Sequence, residues 1–206
     1  MTFPDEKFPD IGRFADAYFD RAKHAAASVD RAELAAAAKI LGDVYRNRGT
    51  LYVCGNGGSA SISNHLYCDH VKCVRTDTDL VPKAQSLAAN VEMITAIAND
   101  IAYADVFVYQ LQSLAEPGDA LMTISSSGDS ENVVRAAEWA KDNAIPVISL
   151  TGFDGGRTGA LADVHLHVEG DNYGVVEDAH QALMHILAQY LRLAEMDPAT
   201  IKQRKF

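Results

Sequence analysis

The chain has 206 residues, 48% hydrophobic and 22% charged, which fits one globular α/β domain with a sizeable core. Its formal net charge of −10 argues against a broad nucleic-acid or anionic-membrane footprint, either of which needs a basic face. A small anionic ligand stays open, because backbone N–H groups hold an anion without a basic patch.

The start, "MTFPDEKFPD", is acidic, carries two prolines and reads as an extended arm with no signal peptide. Apolar residues then recur at helical spacing from Ile11 to about Ala27 (Ile11, Phe14, Ala15, Tyr18, Ala22). Ser28 or Asp30 is placed to cap a second, Ala-rich helix that stops by Gly49. Two such helices ahead of an α/β core point to packing between copies. After Gly49 the pattern changes to short apolar runs alternating with helical ones. "TLYVCG", "AQSLAA", "DALMTIS", "PVISLTG" and "DVHLHVEG" are strand candidates. "SASISNHLYCDHVKCV", "VEMITAIAND", "YADVFVYQLQSLA" and "ENVVRAAEWAKDNA" are helices, and "VVEDAHQALMHILAQYLRLAEM" is a long closing one. The alternation implies a parallel sheet covered on both faces, within one domain over residues 1–206. No window reaches 18 apolar residues, so no membrane span is expected. Cys54, Cys68 and Cys73 are an odd set without metal-type spacing and read as reduced thiols of a cytoplasmic protein.

Two loops stand out. Gly55-Asn56-Gly57-Gly58-Ser59 follows a strand and opens a helix, where glycine lets backbone approach a ligand and the helix N-terminus favours an anion. Ser125, Ser126, Ser127 and Ser130 put four hydroxyls into a second strand-to-helix loop. In an open parallel sheet both loops fall at carboxyl ends of strands, where ligands bind. Such hydroxyls suit a phosphate, although one such loop alone reads as a polar turn capping the helix at Glu131. Gly55, Gly57 and Ala60 also match a dinucleotide fingerprint. Asp77, however, sits in the loop-like "RTDTDLVP" and not at the end of a second strand, and the fingerprint leaves the serine loop unexplained.

His65 and Asp69 are four apart and share a helix face. Glu177, Gln181 and His185 form an i, i+4, i+8 stripe. Two imidazoles with two carboxylates suit zinc or another divalent transition metal, and equally suit acid/base chemistry beside a carbonyl. His24, His165 and His167 lack such a context, and His180 reads as structural.

"CGNGGSASISNH", "AIANDIAYADVF", "ISSSGDSENVVRA", "ISLTGFDGG" and "VVEDAHQALMHIL" occur in this order. Together they resemble the sugar-isomerase (SIS) fold, and within it the phosphoheptose isomerases, over about residues 10 to 195. The resemblance implies a flavodoxin-like, doubly wound parallel sheet flanked by helices, with an N-terminal helical pair (residues 1–48) used in oligomer packing. It also implies a cytoplasmic homotetramer acting on a phosphorylated sugar, with no nucleic-acid or membrane partner. The activity implied is conversion of sedoheptulose 7-phosphate to D-glycero-D-heptopyranose 7-phosphate through an enediol. The alternatives are isomerisation of another ketose or amino-sugar phosphate, or a non-catalytic phosphosugar-binding or adaptor role. Carried over by position, Asn56, Gly57, Gly58, Ser59, Asp100 and Glu177 would contact substrate. Ser125, Ser126, Ser127 and Ser130 would hold the phosphate. Asp69 and His185 would move protons, and His65, Asp69, Glu177 and His185 would hold a divalent metal, zinc foremost.

The chain departs from the family at several of these positions. Asp69 stands for the family's Glu and Glu177 for its Gln. A basic residue of the family falls on Cys73, flanked by Lys72 and Arg75. A family Asp falls on Gly174, with Asp171 nearby. The phosphate-holding half therefore matches while the sugar-reading half is altered.

Overall fold

In the computed structural model, which describes residues 3–206, five parallel strands form one sheet flanked by helices. The chain runs α1 (Ile11–Ser28), α2 (Arg31–Arg46), β1 (Thr50–Cys54), α3 (Gly58–Cys68) and a π-helical turn (Asp69–Val74). It continues through β2 (Lys83–Ser86), α4 (Val91–Asp100), a 3-10 turn (Tyr103–Asp105) and α5 (Val108–Leu114). Then come β3 (Ala120–Ser125), α6 (Glu131–Asp142), β4 (Val147–Thr151), α7 (Gly156–Leu161) and β5 (Val164–His167). The long α8 (Tyr173–Glu195) and a short α9 (Pro198–Ile201) close it.

Local chemistry sets several boundaries. The Asp10 side chain accepts from the Arg13 N–H and starts α1. Asp30 accepts from the N–H groups of Ala32 and Glu33 and starts α2, a cap worth about 1 kcal/mol. Asn172 does the same for α8 through Val175. Every residue of β3 and β4 is buried, as expected for inner strands covered on both faces. Side-chain alternation in β1 then splits the core. Leu51 and Val53 join Met122, Ile124 and Ile148 under α1, α2 and α8. Tyr52 and Cys54 join Leu121, Val147 and Val133 under the other helices. Residues 3–10 form neither helix nor strand, and Phe3 is buried against Phe14 and Tyr18.

The strand order is β2-β1-β3-β4-β5, so the connection direction reverses between β1 and β3. Cys54 stands level with Thr123 across that pair, and both ligand-type loops leave the sheet side by side. This is the switch-point crevice of a doubly wound sheet.

Four local expectations are corrected. The helix expected over 59–74 opens at Gly58, and its α-helical part ends at Cys68. Asp69–Val74 then takes the wider π geometry, which turns His70 inward, where its Nδ1 pairs with the Tyr45 hydroxyl. The helix expected over 103–115 is broken into the 3-10 turn and α5. The second Ala-rich helix ends at Arg46, short of Gly49. α7 and α9 carried no periodic signal, being six and four residues long.

Candidate active site

A Cβ on Gly55 would meet the Ile124 carbonyl oxygen at 2.7 Å, a backbone contact that leaves room for glycine alone. Gly57 has φ +54°, in the left-handed region that favours glycine. A Cβ on Gly58 would collide with the Glu177 carboxylate. This close approach lets α3 begin under the crevice with its N-terminus facing it.

Between the two loops lies a hollow of about 140 Å³, lined by Asn56, Ser59, Ser125, Ser126, Ser127 and Ser130, with Ile124, Tyr173 and Glu177. The Ser126 hydroxyl is buried and has no hydrogen-bond partner. Ser125 Oγ accepts from the Gly128 N–H (3.2 Å) and Ser127 Oγ from the Asp129 N–H (3.3 Å), which leaves both O–H groups free to donate. Ser130 stands at the N-cap of α6 but makes no side-chain cap bond. The polar-turn alternative required that bond. No Lys or Arg lines the hollow, so an anion there would be held by hydroxyls and backbone N–H groups. Outside the loop, Arg157 bridges Asp129 (3.1 Å) and Glu131 (3.0 Å) and pins it.

On α3, α8 and the π-helical turn, His65, Asp69 and His185 converge. One ligand-type atom from each lies within 4.8 Å of the others. His185 Nδ1 is 3.0 Å from Asp69 Oδ2, and His65 Nε2 is 3.5 Å from Asp69 Oδ1. The imidazole rings meet edge to face with centroids 5.0 Å apart. The Gln181 amide nitrogen stands 3.2 Å from His65 Nδ1 and 3.0 Å from His185 Nε2. Two imidazoles and a carboxylate this close form a donor set that fits a borderline-soft divalent cation such as zinc.

The fourth expected ligand is elsewhere. Glu177 is not in this cluster; its carboxylate lies over Gly58 and lines the hydroxyl hollow. Glu177 is two helical turns before His185, so the stripe reaches from the hollow to the imidazole pair rather than converging on one point. Burial raises the Glu177 pKa, and the neighbouring Asp178 charge raises it further. Asp178 accepts from the Tyr18 hydroxyl (2.8 Å), tying α1 to α8, and the Tyr18 pKa is pushed up to about 12, by burial first and this bond second.

Other expected residues fall outside the hollow. Asp100 is exposed at the end of α4 and accepts from the Asn99 amide (2.7 Å). Gly57 is exposed on the loop. Asp171 accepts from the Phe3 N–H (3.3 Å), at the N-terminal arm. Lys72 and Arg75 are exposed. The site also contains residues without an expected role. In the sequence Gln181 is only a member of the Glu177–Gln181–His185 stripe. Tyr173 lines the hollow, and Asn132 and Tyr103 both bond to Asn56. Only their position in loops and stripes already singled out hinted at them.

Comparison with known proteins matches the SIS domain model over residues 17–152. A phosphoheptose isomerase of Bordetella avium is 39% identical over 158 residues, 75% of this chain and 79% of the relative. Among solved structures, a phosphoheptose isomerase from Neisseria gonorrhoeae superposes with a TM-score of 0.80 at 31% identity, covering 88% of this chain and 98% of that one. Another from Francisella tularensis gives 0.81 at 30% identity, covering 89% and 96%.

Proposed function

Because the chain belongs to the phosphoheptose isomerase family of SIS-domain proteins, we propose that it converts sedoheptulose 7-phosphate to D-glycero-D-heptopyranose 7-phosphate. It is an isomerase, and its family acts on sugar phosphates. The observation that carries the reading is a cation-free hollow at the switch point with the Ser126 hydroxyl buried and unpartnered. A phosphate oxygen supplies the missing partner. From Glu177 at that hollow to His185 the axial rise along α8 is about 12 Å, which suits an extended seven-carbon chain bearing a terminal phosphate.

In this reading the phosphate takes donors from Ser125, Ser126, Ser127 and Ser130 and from the start of α3. Its binding energy orients the open chain toward the histidines. Asp69 removes a proton from C1, beside the C2 carbonyl, and the C1–C2 enediol forms. His185, held by Asp69 at 3.0 Å, relays the hydroxyl proton between O1 and O2. The Asp69 carboxyl exchanges its proton with solvent and then protonates C2, which leaves the aldehyde at C1, and ring closure gives the heptopyranose. His65, Asp69 and His185 would hold a divalent cation, zinc in our reading, whose chemistry is to polarise the carbonyl and stabilise the developing oxyanion.

Isomerisation of another ketose or amino-sugar phosphate is the second reading, favoured by the Glu177 carboxylate beside the hollow. Side-by-side turnover of sedoheptulose 7-phosphate and other ketose and amino-sugar phosphates separates the two. The heptose reading requires the largest kcat/KM for the seven-carbon substrate. The proposed assembly is a homotetramer, supported by exposed Ile186, Tyr190 and Leu193 on α8. Light scattering should then give four times the 22.2 kDa protomer mass, and a monomer mass would contradict it.

A further inference from the structure

Asn132 stands in the first turn of α6, only 2% exposed, and does not line the hollow. Its carboxamide pairs with that of Asn56 through two reciprocal bonds. Asn56 Nδ2 donates to Asn132 Oδ1 and Asn132 Nδ2 donates to Asn56 Oδ1, both at 2.9 Å. Asn56 Oδ1 accepts a second bond from the Tyr103 hydroxyl, also at 2.9 Å. Both lone pairs of that oxygen are thereby used, and one N–H of Asn56 is spent. A single N–H of Asn56, on the wall of the hollow, is left for a ligand.

The three partners come from three segments: the glycine loop after β1, the helix after the serine loop, and the 3-10 turn after α4. A second strut runs parallel to the first. Arg135, one turn beyond Asn132, bonds Asp105 (2.9 Å), two residues beyond Tyr103. The network adds no charge beside the hollow, and an amide pair fixes both distance and rotation because each member donates and accepts.

We propose that Asn132 is a positioning residue for substrate binding: its amide clasp on Asn56, pinned by Tyr103, sets the spacing of the two ligand loops and the direction of the one free Asn56 N–H. This rests on the sugar-phosphate reading of the same hollow. The clasp acts on binding and leaves the His65–Asp69–His185 cluster untouched. Asn132→Asp keeps the shape and one bond but sets a carboxylate oxygen against Asn56 Oδ1. Asn132→Leu removes both bonds.

The test is steady-state kinetics on sedoheptulose 7-phosphate for wild type, Asn132→Asp, Asn132→Leu, Tyr103→Phe, Asn56→Ala and the Asn56→Ala/Asn132→Leu double variant. Amide hydrogen exchange is followed in parallel. Asn132→Leu should raise KM about tenfold while kcat changes less than about threefold, the pattern of lost binding. In the Asn56→Ala background the same change should add less than about twofold, because Asn132 acts through Asn56. Exchange at residues 55–59 should speed up about tenfold in Asn132→Leu with β3 and β4 unchanged. Tyr103 is 57% exposed, so Tyr103→Phe carries the exchange and KM tests if the Asn132 variants do not fold. Unchanged KM, independent multiplication in the double variant, or unchanged loop exchange would overturn the clasp. If wild type fails to turn over the heptose phosphate, the substrate reading fails, and the exchange data still decide the clasp.

Discussion

A buried hydroxyl without a partner costs about 1–3 kcal/mol, and Ser126 has that cost in the ligand-free protein. In the proposed function a phosphate oxygen removes it, so stability and function would pull in opposite directions at this residue. Ser126→Ala should leave stability unchanged or raise it by up to about 1 kcal/mol in urea unfolding, while kcat/KM falls about 10- to 100-fold. A variant that lost stability and kept activity would contradict this. The serine hydroxyls were legible in the sequence because four fall within six residues, between a strand and a helix. Asn132 and Gln181 were not, because their bonds join residues 76 and 116 positions apart. Glu177 was expected beside the imidazoles, and the structure sets its carboxylate at the hollow instead. Helical spacing gives a shared face, and eight positions along it are about 12 Å of rise.

At the scale of elements, the metal-type cluster depends on α8 meeting the π-helical turn. That wider turn begins at Asp69, a carboxylate one methylene shorter than the Glu the family resemblance implies there, and it still reaches His185. Turns of this kind recur at functional sites. The proposed zinc ligand set then has a measurable signature. Asp69→Ala and His185→Ala should each lower zinc affinity at least about tenfold in equilibrium dialysis, whereas Glu177→Gln should bind one equivalent like wild type. Loss of zinc from Glu177→Gln would return that carboxylate to the ligand set. Strands β1, β3 and β4 were legible as short buried runs ended by glycine or serine. The π turn was not, since "CDHVKCV" carries the same polar and apolar spacing as an ordinary helix. The break after Asp105, between the 3-10 turn and α5, is hidden for the same reason.

Over the whole molecule, two buried histidines make stability depend on pH. His70 and His180 are fully buried, and burial pushes each pKa from 6.5 down to about 4. His70 Nε2 has no partner, and the His180 ring approaches the Thr151 backbone without a hydrogen bond of normal geometry. The unfolded chain protonates both below pH 6.5, whereas the folded chain resists until about 4. Protons therefore favour unfolding in that window, by up to about 3 kcal/mol for each ring. Thermal midpoints should hold above pH 7 and fall steadily from pH 6.5 to 4.5. His180→Leu, which replaces an unsatisfied buried group, should weaken that slope without lowering stability at pH 8. A flat profile in wild type would contradict the burial argument. The parallel, doubly covered sheet was legible from alternating strands and helices. The order β2-β1-β3-β4-β5 was implied only by the family resemblance, because periodicity records which face is buried and not which strand is the neighbour. Among the described residues no helix is long and apolar enough to cross a membrane.

The most direct test of the account is to incubate the zinc-loaded protein with sedoheptulose 7-phosphate in deuterium oxide and follow the sugar by NMR. The account predicts a heptopyranose 7-phosphate carrying deuterium at C2, the mark of proton transfer through an enediol open to solvent exchange. Sedoheptulose 7-phosphate recovered unchanged and undeuterated, from a protein shown to bind it, would contradict the isomerase chemistry assigned to Asp69 and His185.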